Sequence, residues 1–222
     1  MIVKSISNNS LLLAVFALVT ALILASTDRL TEDRIAESER IAAQRALLEI
    51  VPIDRHNNDL LVDIQPIPKQ YWSQLGLDNG GDIHIARFNN QPVAAIIPSI
   101  TSEGYSGDIA MIVGINFDGS IAGVRVIEHL ETPGLGDKVE LRKSDWILSF
   151  DGKSLSNPQA TGWNVKRDQG EFDQFTGATI TPRAVIQQIA RTLKYFNNDS
   201  QRLLLAIQST DPQAPIDRQE TP

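Results

Sequence analysis

The chain has 222 residues, 42% of them hydrophobic and 21% charged, with no cysteine and a net charge of −7 from 20 Lys and Arg against 27 Asp and Glu. That content can bury one sizeable core, and it excludes disulfides, thiolate metal sites, iron–sulfur ligation and a thiol-linked lipid anchor. No basic cluster offers a nucleic-acid surface and His56, His84 and His129 lack metal-ligand spacing, so any chemistry falls to hydroxyls, carboxylates or an organic cofactor.

From Ser5 to Thr27 no residue is charged, and Leu11–Ser26 is apolar apart from Thr20 and Ser26. A spanning helix needs about 20 residues at about 1.5 Å each, so residues 1–28 are expected to form a transmembrane anchor in contact with membrane lipid. Lys4 precedes the run, whereas Asp28, Arg29, Glu32 and Asp33 follow it. The positive-inside bias therefore puts the N-terminus in the cytoplasm and the body of the chain on the far side. A cleaved signal peptide would want small residues before its cut, but cleavage after Ala25 or Ser26 leaves Ile23 or Leu24 at the third position back. The segment is expected to be retained.

Residues 29–52 read as a juxtamembrane helix. Ala36, Ile41, Leu47, Leu48 and Ile50 recur at rough helical spacing, acidic residues crowd the first turns and Pro52 stops it. A domain over 53–208, with its centre at about 100–195, should follow. "DIHIARF" (82–88) alternates polar and apolar residues, Asn89-Asn90 turns, and "PVAAIIPSIT" returns. "DIAMIVGINF" and "SIAGVRVIEH", joined by Asp118-Gly119, make a second hairpin. In the loop Leu130–Lys138, Thr132-Pro133-Gly134 suits a type II turn. A polar stretch holding Trp146 and Trp163 comes next. Thr181-Pro182 then reads as a helix start with threonine as cap, and Val185, Ile189, Leu193 and Phe196 as its apolar stripe. Asn197 and Asn198 should close that helix, "SQRLLLAIQS" should pack as a last element, and 209–222 should be a loose tail. The pattern predicts an α+β domain, an antiparallel sheet with packing helices.

"DQFTGATITPRA" places Thr176, Thr179 and Thr181 around Gly177-Ala178, just before the helix. Thr181 is explained as a cap. Thr176 and Thr179 are open to two readings. One is an ordinary hydroxyl turn. The other is a site of attachment, because a helix N-terminus with its unpaired N–H groups favours a phosphate.

Asp173-Gln174-Phe175-Thr176-Gly177-Ala178-Thr179 resembles the flavinylation motif of the FMN-binding domain family, an acidic residue, two variable positions, Ser/Thr-Gly-Ala and a final Ser/Thr. The resemblance implies that a flavin transferase takes FMN from FAD and joins its phosphate to the final hydroxyl, here that of Thr179. Asp173 and Thr176 fall on the motif's acidic and first hydroxyl positions. Glu131-Thr132-Pro133-Gly134-Leu135-Gly136 is similar to the family's upstream loop. The resemblance therefore puts Glu131, Thr132, Gly134, Leu135 and Gly136 against the flavin, beside Gly177 and Ala178. Lys166 is either a charge partner for the phosphate or a plain exposed lysine.

With its N-terminal anchor, the whole chain resembles the G-subunit family of the Rnf complex, an ion-translocating ferredoxin:NAD oxidoreductase of bacteria. The resemblance implies a covalent FMN, one per chain, relaying single electrons, with subunits A, B, C, D and E of that complex as partners. It places the domain on the periplasmic side of the inner membrane. Two alternatives stand beside it: the corresponding flavin-bearing C-subunit of the sodium-translocating NADH:quinone oxidoreductase, and a membrane-anchored scaffold without redox function.

Overall fold

The structure, a computed structural model, describes residues 2–209, and the expected tail over 210–222 lies outside them. Two compact units divide the chain, one up to Arg45 and one from Ala46 onward. The first is carried by helix α1, Ile2–Ile50. No Gly or Pro interrupts positions 11–50, so nothing in the sequence breaks the helix there. Among the described residues no helix is long and apolar enough to cross a membrane. In the uncharged run the described side chains are those of residues 13–27, fewer than the about 20 that a span needs. Leu13, Val15, Phe16, Leu18, Val19, Leu22, Ile23 and Leu24 are all exposed there.

In the second unit β1 (Ile64–Pro66), β2 (Asp82–Phe88), β3 (Gln91–Thr101), β4 (Ile109–Asn116) and β5 (Ile121–His129) form one antiparallel meander in chain order. Both expected hairpins are present. Asn89 and Asn90 take φ of 49° and 68°, the left-handed pair that a two-residue hairpin needs and asparagine tolerates. A short helix α2 (Trp72–Leu75) bridges β1 and β2, and the long α3 (Ile180–Ser209) closes the chain. The α+β expectation therefore holds.

Successive residues of β3 feed two cores. Ala95 and Ile97 enter the large one that also holds Val185, Ile189, Leu193 and Phe196 of α3. Ala94 and Ile96 enter a smaller one with Leu47, Ile50, Val51 and Leu60. A strand buried on both faces explains the unbroken "VAAII" run. A polar bolt joins α3 to the sheet: Gln188 Nε2 donates to Ser99 Oγ at 2.7 Å, and Thr192 Oγ1 lies 2.9 Å from the same oxygen.

On the second face Gly114 and Gly123 stand opposite each other across β4 and β5. A Cβ on Gly114 would lie 2.1 Å from Cγ2 of Ile50, so the paired glycines form the notch that seats this side chain. Gly114→Val is expected to destabilise the domain by about 1–3 kcal/mol through overpacking, read as a lower urea midpoint. An unchanged midpoint would show that Ile50 is not held in the notch.

Two expectations are corrected. The helix starts at Ile180, before Thr181-Pro182, so Thr181 is not its cap; Arg183 N donates to Thr179 O at 3.4 Å, which puts Thr179 in the capping position. The helix also runs through Asn197 and Asn198 to Ser209. Leu203 and Ile207 continue its buried face, and Asp199 is held by Tyr195 and by Arg202 Nε at 2.7 Å, so packing overrides the weak helix preference of asparagine. Burial, followed by the Asp199 charge, pushes the Tyr195 phenol far up. The polar stretch after the Thr-Pro-Gly loop also carries part of the core. Trp146, Phe150, Trp163, Phe172 and Phe175 form a buried ring cluster, with Phe150 and Phe172 stacked at 4.4 Å and Trp146 edge-on to Phe175 at 5.0 Å.

Candidate functional site

The fold brings the two motifs together from segments about forty residues apart. Glu131, Thr132, Leu135, Gly136, Gly177, Ala178 and Thr179 line one cavity of about 360 Å³. The turn leading into it forms as expected: Leu135 N donates to Thr132 O at 3.1 Å and Gly134 has φ of 78°, the left-handed conformation a type II turn requires at that position. Gly134 and Thr176 are exposed and are not on the cavity wall. Asp173 is exposed and off the wall too, its carboxylate 2.7 Å from Lys166 Nζ. That ion pair makes Lys166 a partner of the motif's own acidic residue. Trp146 Nε1 donates to Asp173 O at 2.8 Å, so the ring cluster pins the backbone of the threonine loop.

The three hydroxyls have separate environments. Thr181 is buried and donates to Glu131 Oε2. Thr176 faces solvent. Thr179 is half-buried on the cavity wall, and among the described residues its hydroxyl has no hydrogen-bond partner. It directly precedes α3, whose first N–H groups lack intrahelical acceptors and carry the positive end of the helix dipole.

Tyr105, Ile180 and Thr181 complete the wall; none of the three was among the residues expected there. Tyr105 is 69% exposed and sits in the segment Gly104-Tyr105-Ser106-Gly107. An aromatic residue between glycines in a loop is the signal that could have marked it.

Glu131 is only 4% exposed. Its Oε1 accepts from Ser106 N at 2.9 Å, its Oε2 accepts from Thr181, and its own N–H donates to His129 Nδ1 at 3.0 Å. His129 Nε2 lies 2.8 Å from Glu140 Oε1. Burial raises the Glu140 carboxyl, but hydrogen bonds from His129 and Arg142 more than offset this and hold it below its ordinary 4.5. Because the folded value is the lower one, Glu140 contributes stability above pH 4.5 that is lost as pH falls through the folded value. Glu140→Gln should therefore flatten the acid limb of the stability curve, measured by urea unfolding from pH 6 downward. A limb as steep as in wild type would remove this role.

The cavity lies in the range of about 300–1,000 Å³ typical of small-molecule and cofactor sites. A Cβ on Gly177 would meet nothing closer than Leu135 Cδ2 at 3.5 Å, so the backbone beside Thr179 is open to close approach. Hydroxyl, small residues and helix end together suit a phosphate-bearing group with an apolar body lying along Leu135, Ile180 and Tyr105.

Residues 104–194 match the model of the FMN-binding domain family, and residues 1–50 that of the RnfG N-terminal region. The G-subunit of the ion-translocating oxidoreductase complex of Pseudomonas aeruginosa is 47% identical over 90% of this chain and 93% of its own length. The protein of the same name from Vibrio atlanticus is 42% identical over 90% and 95%. Among solved structures, the C-subunit of the Na(+)-translocating NADH-quinone reductase of Parabacteroides distasonis is 22% identical, with a TM-score of 0.43 over 54% of this chain and 62% of that one. On the identity and coverage of the first two, the chain belongs to the G-subunit family of ion-translocating oxidoreductase complexes.

Proposed function

We propose that this chain is the electron-transfer flavin subunit of a membrane-bound Rnf-type complex, with one FMN joined through its phosphate to the Thr179 oxygen. The observation that carries the attachment is the placement of the hydroxyls. Among the described residues, the Thr179 hydroxyl alone of the three both lies on the cavity wall and lacks a partner.

In maturation Thr179 would supply the oxygen that bonds to the FMN phosphorus as the phosphoanhydride bond of FAD breaks. AMP would leave with the electron pair, and the hydroxyl proton would pass to a base of the flavin transferase or to water. Bound FMN supplies one-electron redox chemistry. The chain's own residues do the rest. The first turn of α3 offers its positive end to the phosphate, and Leu135, Ile180 and Tyr105 form an apolar wall. Asp173, exposed beside Lys166, together with Thr176 presents the loop to the transferase. Glu131, Thr132, Gly134 and Gly136 shape the facing loop.

The family and the exposed apolar side chains of 13–24 support residues 1–28 as a single-pass anchor. The polar side chains there turn back on the helix, Thr20 Oγ1 to Phe16 O at 3.0 Å and Ser26 Oγ to Leu22 O at 2.7 Å, as a hydrocarbon surrounding demands. On this reading 29–52 is the juxtamembrane helix and 53–208 the periplasmic domain. The N-terminus stays in the cytoplasm. The other Rnf subunits, A to E, supply donor and acceptor, so the isolated chain should complete no ferredoxin or NADH reaction.

The test is the intact mass of the full chain produced with a flavin transferase. It should exceed the amino-acid mass by one FMN moiety and the flavin should survive denaturation. A colourless chain of bare polypeptide mass would favour the scaffold, and flavin released by denaturation would remove the covalent link.

A further inference from the structure

We infer that Glu131 is the positioning residue of this site, a buried strut that sets where Thr179 stands instead of a group that contacts the flavin. The inference rests on the reading that Thr179 carries FMN. Three separate segments meet on Glu131. Its Oε1 takes the backbone N–H of Ser106, in the loop bearing Tyr105. Its Oε2 takes the hydroxyl of Thr181, in the first turn of α3, and its N–H is held by His129 at the end of β5. Thr181 is two residues from Thr179, so whatever fixes Thr181 fixes the start of the helix and the attachment oxygen before it.

Two glycines from different loops make room for the carboxylate. A Cβ on Gly136 would stand 2.7 Å from Glu131 Oε2 and 2.9 Å from Thr181 Oγ1. One on Gly104 would stand 2.9 Å from Glu131 Oε1. The spacing of the acidic residue and the last glycine in "ETPGLG" thus has a local cause: the glycine closes over the carboxylate that begins the motif.

The carboxylate is nearly excluded from solvent, and the groups that hold it are a backbone amide and a hydroxyl. Its negative charge also lies by the positive end of α3, where an anion is stabilised. Loss of the strut should free the first turn of α3 and the Tyr105 loop together. Displacement of a reacting group by about 1 Å can cost on the order of 100-fold in rate.

The experiment measures the rate of flavin incorporation into the full chain from FAD and a flavin transferase, by fluorescence in denaturing gels. It compares wild type, Glu131→Ala, Thr181→Val, Thr181→Ser and the double variant Glu131→Ala with Thr181→Val. Near-UV circular dichroism is recorded at the same temperature to establish native packing. Glu131→Ala and Thr181→Val should each slow incorporation roughly 10- to 100-fold while folded. Thr181→Ser, which keeps the hydroxyl, should return close to the wild-type rate. The double variant should be no slower than the worse single one, because both changes remove one shared bond.

Folded variants labelled at the wild-type rate would overturn the inference. So would Thr181→Ser as slow as Thr181→Val, or losses seen only where the dichroism signal is also lost. If Glu131→Ala does not fold, the two Thr181 variants decide. Wild type that takes no flavin would overturn the reading of Thr179 itself, which separates the two failures.

Discussion

Replacement of Thr179 by alanine is expected to abolish flavin incorporation and leave the chain at its bare polypeptide mass, with little change in folding. The effect should be all-or-none because, on the proposed reading, one oxygen makes the bond. Thr181 cannot stand in, since its hydroxyl is buried and given to Glu131. Thr176 is in solvent and off the cavity wall. Thr179 also holds the capping position of α3, and losing a cap costs about 0.5–2 kcal/mol. With no side-chain bond at that hydroxyl among the described residues, the cost should sit at the low end, a fall of a few degrees at most. Thr179→Ser should keep both hydroxyl and label, and Thr176→Ala should be labelled more slowly but not lose the label. Intact mass and in-gel fluorescence check all three. Flavin retained by Thr179→Ala after denaturation would move the bond to another oxygen.

Trp146→Ala should produce the largest loss of stability, about 3–5 kcal/mol from ring burial alone, against a total of roughly 5–15 for a domain. Trp146 packs edge-on to Phe150 at 5.2 Å and to Phe175 at 5.0 Å, and its indole nitrogen holds the carbonyl of Asp173. Asp173 and Phe175 both belong to the threonine motif, so the change also loosens the loop that holds Thr179. Trp146→Phe keeps most of the packing and removes the N–H. It should cost far less: about 1 kcal/mol for the net worth of one hydrogen bond, plus a small cavity. Urea unfolding followed by dichroism measures both. A Trp146→Ala midpoint equal to wild type would mean that the ring cluster does not support the site.

Much of the architecture was legible because local chemistry dictates it. Two hairpins were readable from alternation, from Asn89-Asn90, a left-handed pair few others adopt, and from Asp118-Gly119, where Gly119 takes a positive φ. The stripe Val185, Ile189, Leu193 and Phe196 was readable from its 3.6-residue period. The ring cluster was missed because Trp146, Phe150, Trp163, Phe172 and Phe175 follow no period. Trp146 and Phe150 lie in a short 3-10 turn, Asp145–Phe150, and Trp163, Phe172 and Phe175 in irregular chain, and they converge only when the chain closes. The end of α3 was misjudged for a related reason. Asparagines argue locally for a stop, while buried Asp199, Leu203 and Ile207 hold the helix onward.

The sequence by itself determined the order of elements, the uncharged N-terminal run and the two motifs, since each is a pattern of neighbours whose backbone and side-chain preferences act within a few residues. Only the tertiary structure decided which of three threonines stands free on a cavity and that Glu131 spends both oxygens inside the protein. It alone brought Tyr105 to the wall. These are contacts between segments far apart in the chain, set by sheet register and by the packing of α3, and no local preference encodes them.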